Sequence, residues 1–331
     1  MTLRELNRRF NTEAKCKKYL HQLRWPDGVV TCVKCDSDKV RFNEGEDRYA
    51  CNNCKKRFRV TTDTIFERSP YPLDDWFRAI VLILNSKQGF SAKQLERNLG
   101  CTYKTAWYMA MRIRCAMIDP DITLQKVVEM DETYVGGKPR KRKALNDSVV
   151  DIATLSRKRG RGTAKAAVVG IVERKGKVVI EVAERLTSRY LLAMLKRHVV
   201  INDDTVVMTD DFSSYKKFDE YVTRQVINHS QKVYSDGDIH TNTIEGFWTI
   251  VKNSIRGEYR VISRKYLPFY LVQAQYIYNR QDNKQDHFTE FMKTAVIVDK
   301  DDYMMAYKPV GEVKKLVYPI RRGRPKKSEL V

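Results

Sequence analysis

Apolar residues recur at helical spacing over the first third of this chain and at strand spacing from residue 126 onward. Leu3, Leu6 and Phe10, then Leu20 and Leu23 with Trp25 just after, predict a helical lead-in over residues 1–25. The breaker Ser69-Pro-Tyr-Pro72 precedes a helical run over 73–85. Ser91 is an N-cap for a short helix over 91–98, Leu99-Gly-Cys101 makes a turn, and Thr102 caps a longer helix over 103–117. Apolar, β-branched runs over 126–131, 166–173, 177–184, 205–210 and 224–228 predict strands, with Gly176 turning between the second and third. Residues 188–200 read as the helix linking the third strand to the fourth, and 264–280 as a long packing helix rich in Tyr and Phe. Between them, Ile244, Trp248 and Val251 recur at i, i+4 and i+7, the period of one helix face. Glu245 and Lys252, two turns apart, project from another side of that helix. Strands followed by helices in this order fit an α/β domain.

Short helix, glycine turn and longer helix over 73–118 form a helix-turn-helix pattern. As a recognition helix, the last of these would offer Lys104, Tyr108 and Arg112, with Arg114, to a DNA groove. An ordinary helical hairpin is the alternative.

Cysteine spacing adds a metal. Cys32-Val-Lys-Cys35 and Cys51-Asn-Asn-Cys54 are separated by fifteen residues, the spacing of a zinc ribbon, here over residues 26–68. Four thiolates leave no open position, so the expected ion is one structural zinc. Chance pairs of buried cysteines are the competing reading. Cys16, Cys101 and Cys115 remain as structural thiols.

The formal charge of +21 over 331 residues points to a polyanionic partner, because neutralising phosphates releases counterions. No run of 18 apolar residues, signal peptide or lipidation motif argues for a membrane. A cytoplasmic, nucleoid-associated protein is expected in a bacterium and a nuclear one in a eukaryote. Charge concentrates in two places. Residues 138–165 carry ten Lys or Arg against two Asp, densest at Arg157, Lys158, Arg159 and Arg161, and read as a basic insertion that contacts DNA or as a solvated charge run. The tail over 301–331 ends in Arg321-Arg-Gly-Arg-Pro-Lys-Lys327.

Two of the strands carry a carboxylate just after the apolar run. Asp131 follows Lys126-Val-Val-Glu-Met130, and Asp210 follows Thr205-Val-Val-Met-Thr209. A carboxylate at the end of a buried strand is poorly placed for packing and well placed for a site at a sheet edge. Thirty-four residues separate Asp210 from Glu245, and Lys252 lies seven beyond. Met130-Asp-Glu-Thr-Tyr-Val-Gly-Gly-Lys138, Thr209-Asp-Asp-Phe-Ser-Ser-Tyr215, the stretch from His240 to Lys252, and Tyr278-Asn-Arg280 stand in this order. With the cysteine pairs, these motifs resemble insertion-sequence DDE transposases of the ISXO-like group, over most of the chain up to about residue 285. The resemblance implies a ribonuclease-H-like, integrase-type catalytic domain over 124–300, preceded by the ribbon and the helical region. It implies a polynucleotidyl transferase that cuts and joins double-stranded DNA at element ends and target, acting as a homodimer or higher oligomer.

Such chemistry needs two magnesium (or manganese) ions held by hard oxygen ligands. Asp131 is the bridging candidate, Asp210 and Glu245 the flanking ligands, and Lys252 the group that holds a phosphate or terminal base. Glu132, Asp211 and Asn242 lie close enough in sequence to compete, although successive strand residues face opposite ways. His240 either positions a substrate group or is a surface histidine. Arg322, Gly323, Arg324 and Pro325 in the tail resemble an AT-hook, whose arginines enter an A·T minor groove. Two other readings share these features: a catalytically inactive DNA-binding regulator, and a structure-specific nuclease of the same fold.

Overall fold

The structure, a computed structural model, describes residues 1–136, 165–227, 240–281 and 286–297. The basic cluster Arg157, Lys158, Arg159 and Arg161 and the tail residues Arg322, Gly323, Arg324 and Pro325 lie outside the described residues. The chain divides into two compact units. Among the described residues, Met1–Ile118 and those from Arg280 onward form one, and Asp119–Asn279 the other.

In the first unit, α1 (Leu3–Arg9) and α2 (Glu13–Arg24) start at Thr2 and Thr12, whose side chains accept from the backbone N–H of Glu5 and Lys15. A small antiparallel sheet follows, β1 (Val40–Asn43), β2 (Arg48–Cys51) and β3 (Arg57–Phe58), and β2 leads into the second cysteine pair. Then come α3 (Leu73–Leu84), α4 (Ala92–Leu99) and α5 (Tyr103–Ala116). Gly100, at φ 64°, ends α4 in the left-handed conformation that favours glycine, and Thr102 caps α5 through the Thr105 N–H. The helix-turn-helix pattern is therefore present as a backbone motif.

The residues expected to meet DNA from α5 differ in exposure. Lys104 is exposed on the first turn of α5, and Tyr108 is half-buried one turn on. Arg112 is buried at 2% exposure and is not available to DNA. Its guanidinium donates to the carbonyls of Ile65 and Glu67, at 2.8 and 2.7 Å, and to the Tyr108 hydroxyl, and so ties α5 to the segment before α3. Arg114 is likewise fully buried. The far half of α5 is core because that segment covers it.

Part of the span expected for the catalytic domain groups by its contacts with the first unit. Helix α9 (His287–Ala295) belongs to the first unit, where Phe288 packs against Phe10, Tyr19 and Phe77 with ring centroids 5.5–6.3 Å apart.

The second unit is a five-stranded sheet in the order β6-β5-β4-β7-β8, from β4 (Val127–Val135), β5 (Ala166–Glu173), β6 (Val178–Ala183), β7 (Val206–Asp210) and β8 (Thr223–Ile227). The first three strands are antiparallel neighbours; β7 and β8 add in parallel to β4. Helix α6 (Ser188–His198) crosses from β6 to β7. This is the ribonuclease-H-like α/β arrangement that the resemblance implied. Between β7 and β8 the chain has only a short connection, and it forms a 3-10 helix (Ser213–Glu220) that buries Tyr215 and Phe218.

Strand alternation sorts the core into two layers. Val128, Met130, Val169, Ile171 and Val207 pack with α6 and the 3-10 helix. Val168, Val172, Val178, Ile180 and Val182 pack under α7 (Asn242–Ser254) and α8 (Leu267–Tyr278). Strand β6 lies at the sheet edge, and side chains close part of its open ladder. The Gln275 Oε1 accepts from Ile180 N at 2.9 Å, and Asn279 exchanges two bonds with Val178 at 2.7 and 3.0 Å. No helix among the described residues is long and apolar enough to cross a membrane.

Candidate active site

Helix α7 is held over the sheet by contacts that each depend on one face of β4. Asp131 and Glu129, two residues apart, share that face. Trp248 Nε1 donates to Asp131 Oδ2 at 3.0 Å. The Glu129 carboxylate is fully buried and accepts from the Ile244 backbone N–H at 3.0 Å and the Thr243 hydroxyl at 2.9 Å, so it caps α7 from the sheet. Its charge is met by Arg174, whose Nε lies 2.9 Å from Glu129 Oε1 and whose Nη2 donates to the His240 carbonyl at 2.9 Å. His240 is therefore a half-buried member of this cluster, its Nδ1 3.0 Å from Arg174 Nη2.

The helix comes close because β5 carries Gly170 opposite Asp131. A Cβ there would lie 2.8 Å from the Trp248 ring and 2.9 Å from Ile244 Cδ1. Gly170→Val should therefore lift α7 off β5 and break the Trp248–Asp131 bond, at a cost of about 1–3 kcal/mol for overpacking. Thermal melting checks the loss. An unchanged midpoint would show that α7 has room to spare.

Asp131 and Asp210 are brought together. Asp210 closes β7 on the same face as Met208, whose Sδ meets Arg174 Nη2 at 2.9 Å. The Asp131 carboxyl is pushed up to about 7 by burial first and then by the negative charges of Glu132 and Asp210, against the Glu132 backbone and Trp248 donors. Asp210 also accepts from the Phe212 N–H at 3.0 Å, which turns the chain away from the strand. Contrary to expectation, Asp131 does not end its strand. Strand β4 runs on to Val135 against β5, and only its pairing with β7 stops, at Glu129 opposite Met208. Asp131 thus sits just past the parallel seam, where a side chain has no neighbour strand on one side.

Glu132 points to the opposite face and accepts from the Tyr215 hydroxyl at 2.9 Å. Tyr215 is wholly buried, and burial together with Glu132, Asp131 and Asp210 raises its phenol well above the usual range. Asp211 and Asn242 are exposed. Glu245 lies on the first turn of α7, exposed, with its carboxylate 3.2 Å from the Thr241 hydroxyl; Lys252 is half-buried two turns on. Glu245 is on the helix that covers Asp131, but Asp131, Asp210 and Glu245 do not have all their ligand oxygens within 4.8 Å of one another; among the described residues only the four cysteines form such a group.

Those cysteines have the geometry to hold a zinc ion. Sγ of Cys32 and Cys54 are 3.5 Å apart and those of Cys35 and Cys51 are 3.7 Å apart, close to the edge of about 3.8 Å in a tetrahedron with 2.3 Å zinc–sulfur bonds. Backbone N–H groups of Lys34 and Cys54 point at Cys32 and Cys51 sulfur. The Cys54 and Asn53 N–H groups pull the Cys51 thiol down to about 7, the direction a thiolate ligand needs.

Comparison with known proteins matches both halves. Residues 11–57 match the transposase zinc-ribbon domain, and residues 123–279 match the ISXO2-like transposase domain. A protein of transposable element ISH50 from Halobacterium salinarum, itself uncharacterised, is 31% identical over 274 residues, 79% of this chain and 89% of the relative. The chain belongs to the ISXO2-like transposase family. Among solved structures, a Mos1 transposase paired-end complex with a transposon end is 12% identical, with a TM-score of 0.28 over 73% of this chain and 79% of that one. A pre-cleavage Mos1 transpososome gives 12% and 0.27 over 70% and 77%.

Within this ISXO2-like domain, sequence reasoning missed Glu129, Arg174 and Tyr215. Glu129 was legible in one respect: it is an acid inside an apolar run, on the face of Asp131.

The raised Asp131 value has a consequence for stability. A carboxyl whose folded value is raised from 3.8 to about 7 favours folding most while protonated. Metal-free protein should therefore lose stability as pH rises from about 4 through about 7, by up to about 4 kcal/mol from this group. Melting in chelator between pH 5 and 8 checks it against Asp131→Asn, which should flatten the slope. Equal slopes would show that the carboxyl is not strained in the fold.

Proposed function

We propose that this chain is an active DNA transposase that cuts DNA at the ends of its element and joins them to a target. The observation that carries the reading is the pair Asp131 and Asp210, from adjacent strands on one sheet face, beneath the helix that bears Glu245 and Lys252. Both carboxylates are oxygen donors, and the electrostatic cost that raises Asp131 is the cost a divalent cation would relieve. Asp131, Asp210 and Glu245 would hold magnesium or manganese there, with Glu245 turning from Thr241 to do so. A pair of such ions supplies Lewis-acid stabilisation of the attacking and leaving oxygens of a phosphodiester.

The chain's own residues do the rest. Trp248 fixes the Asp131 carboxylate through Oδ2. Glu129 and Arg174 hold the first turn of α7, and with it Glu245, in place over the strands. Lys252, on the same helix, offers a cation to a DNA phosphate. Cys32, Cys35, Cys51 and Cys54 hold one structural zinc, and the exposed Lys104 on α5 contributes to DNA contact. Two element ends must be handled together, so the working form is a homodimer or higher oligomer on double-stranded DNA.

The test is an incubation of zinc-loaded protein with DNA spanning its own gene and flanks, magnesium and a supercoiled target. Discrete cuts at the flanks followed by joined products are expected. Cuts without joining would indicate a nuclease of this fold, and tight binding without cuts a DNA-binding regulator.

A further inference from the structure

The end of helix α7 carries an exposed, strained turn for which the assigned site has no use. At Ile255–Tyr259 the helix widens into a π-helical turn, a feature often found at functional sites. Arg260 then adopts φ 63° and ψ −60°, and Val261 N bonds back to Tyr259 O at 2.7 Å. That is a γ-turn of the positive-φ form, which is rare and strained for a residue with a side chain. Such a conformation costs about 1–3 kcal/mol and persists only where its surroundings impose it. The surroundings do so here. Ile255 and Ile262 on either side pack against the core under α7, and the Tyr259 ring meets Tyr270 of α8 edge-on, with centroids 4.6 Å apart.

The rigid turn holds Val261 out in water at 75% exposure. Arg256, Arg260 and Arg264 surround it, all exposed, and none forms an ion pair among the described residues. From Lys252 to Tyr266 the chain has five basic residues and one acidic, Glu258. Three unpaired guanidiniums around an apolar tip, built at a conformational cost, do nothing for the fold. They do match a duplex, in which phosphates take arginines and a groove edge takes an apolar side chain. The basic stripe starts at Lys252, on the helix that carries Glu245, so whatever lies on it also lies along the candidate active site.

We propose that residues 252–264 form a docking turn for duplex DNA flanking the cut, with Arg256, Arg260 and Arg264 on backbone phosphates and Val261 against the groove edge. This rests on the transposase reading above. The test measures affinity of full-length, zinc-loaded protein for an element-end duplex across a salt series, in calcium so that no cutting intervenes. Losing three phosphate contacts should lower the slope of log affinity against log salt by about 2.7, at about 0.9 per contact. Arg256→Ala/Arg260→Ala/Arg264→Ala should show that drop, and a loss of at least about tenfold at 0.15 M salt. Val261→Asp should weaken binding several-fold. The comparison triple Arg185→Ala/Lys216→Ala/Lys217→Ala, exposed on the same unit, should keep the wild-type slope. Because the substituted side chains are exposed and unpaired, melting should be unchanged. An unaltered slope in the first triple, or an equal drop in both, overturns the docking turn while a wild type that binds and cuts leaves the transposase reading standing. A wild type that binds no duplex at all overturns both.

Discussion

Asp131→Asn and Asp210→Asn should each lower DNA cutting by on the order of 10³-fold or more, with DNA binding within about threefold of wild type. The magnitude follows from charge. Asparagine keeps the shape and leaves one oxygen in place, but it cannot supply the negative charge that holds a hard cation, and Lewis-acid stabilisation of this kind is worth several kcal/mol. The two variants should also differ from each other. Asp131 is strained as a carboxylate, so Asp131→Asn should raise the melting point of metal-free protein above pH 7, and Asp210→Asn, which keeps an acceptor for the Phe212 N–H but removes one of the charges that raise Asp131, should raise it less. Gel analysis of cut products beside a binding titration separates the outcomes. If either variant cut at the wild-type rate, that carboxylate would have no part in the chemistry.

Glu129→Ala should destabilise the second unit by about 3–5 kcal/mol and abolish cutting without touching a reacting atom. Removing one member of a buried ion pair leaves the other charge unsatisfied, which is what makes the loss large. Here the carboxylate also satisfies Ile244 N and the Thr243 hydroxyl, so the first turn of α7 loses its cap at the same time. Glu129 is a positioning residue: Glu245 sits one residue beyond Ile244 and moves when that turn frays. A double-variant cycle with Arg174→Gln should show a coupling of about 1 kcal/mol or more, since the half-buried Arg174 without Glu129 loses its carboxylate partner and keeps only the His240 and Met208 contacts. Simple additivity in thermal or urea melts would mean the two act independently. Glu129→Gln, which keeps acceptor geometry for Ile244 N, should recover part of the melting temperature and more of the cutting than Glu129→Ala.

The cluster around Glu129 also shows where sequence reasoning stopped. The amphipathic reading of α7 was sound: Ile244, Trp248 and Val251 are all buried, and Glu245 and Lys252 are not. Period-2 alternation placed Asp131 and Glu132 on opposite faces, as the Trp248 and Tyr215 contacts do. Partners across the fold were another matter. Arg174 is 45 residues from Glu129, and Ile244 is 115 away, and no local pattern links them. Burial of a helix end was illegible for the same reason. Lys104, Tyr108 and Arg112 lie on one helical face, yet the segment whose Ile65 and Glu67 carbonyls accept from Arg112 covers it and leaves Lys104 in water. Helical period reports which residues share a face; it does not report what that face meets. Strand ends were similarly hidden, because β4 stops pairing with β7 at Glu129 but continues with β5 to Val135. The four cysteines needed no such information, since their spacing alone brings the sulfurs together.

The proposed chemistry requires that these carboxylates hold a divalent cation. Manganese binding to the full-length, zinc-loaded protein at pH 8, followed by electron paramagnetic resonance, measures that directly. Saturable binding is expected in wild type, lost in Asp131→Asn and weakened in Asp210→Asn and Glu245→Gln, with folding intact. Equal binding in wild type and Asp131→Asn, or none in a wild type that still cuts DNA, would contradict that chemistry.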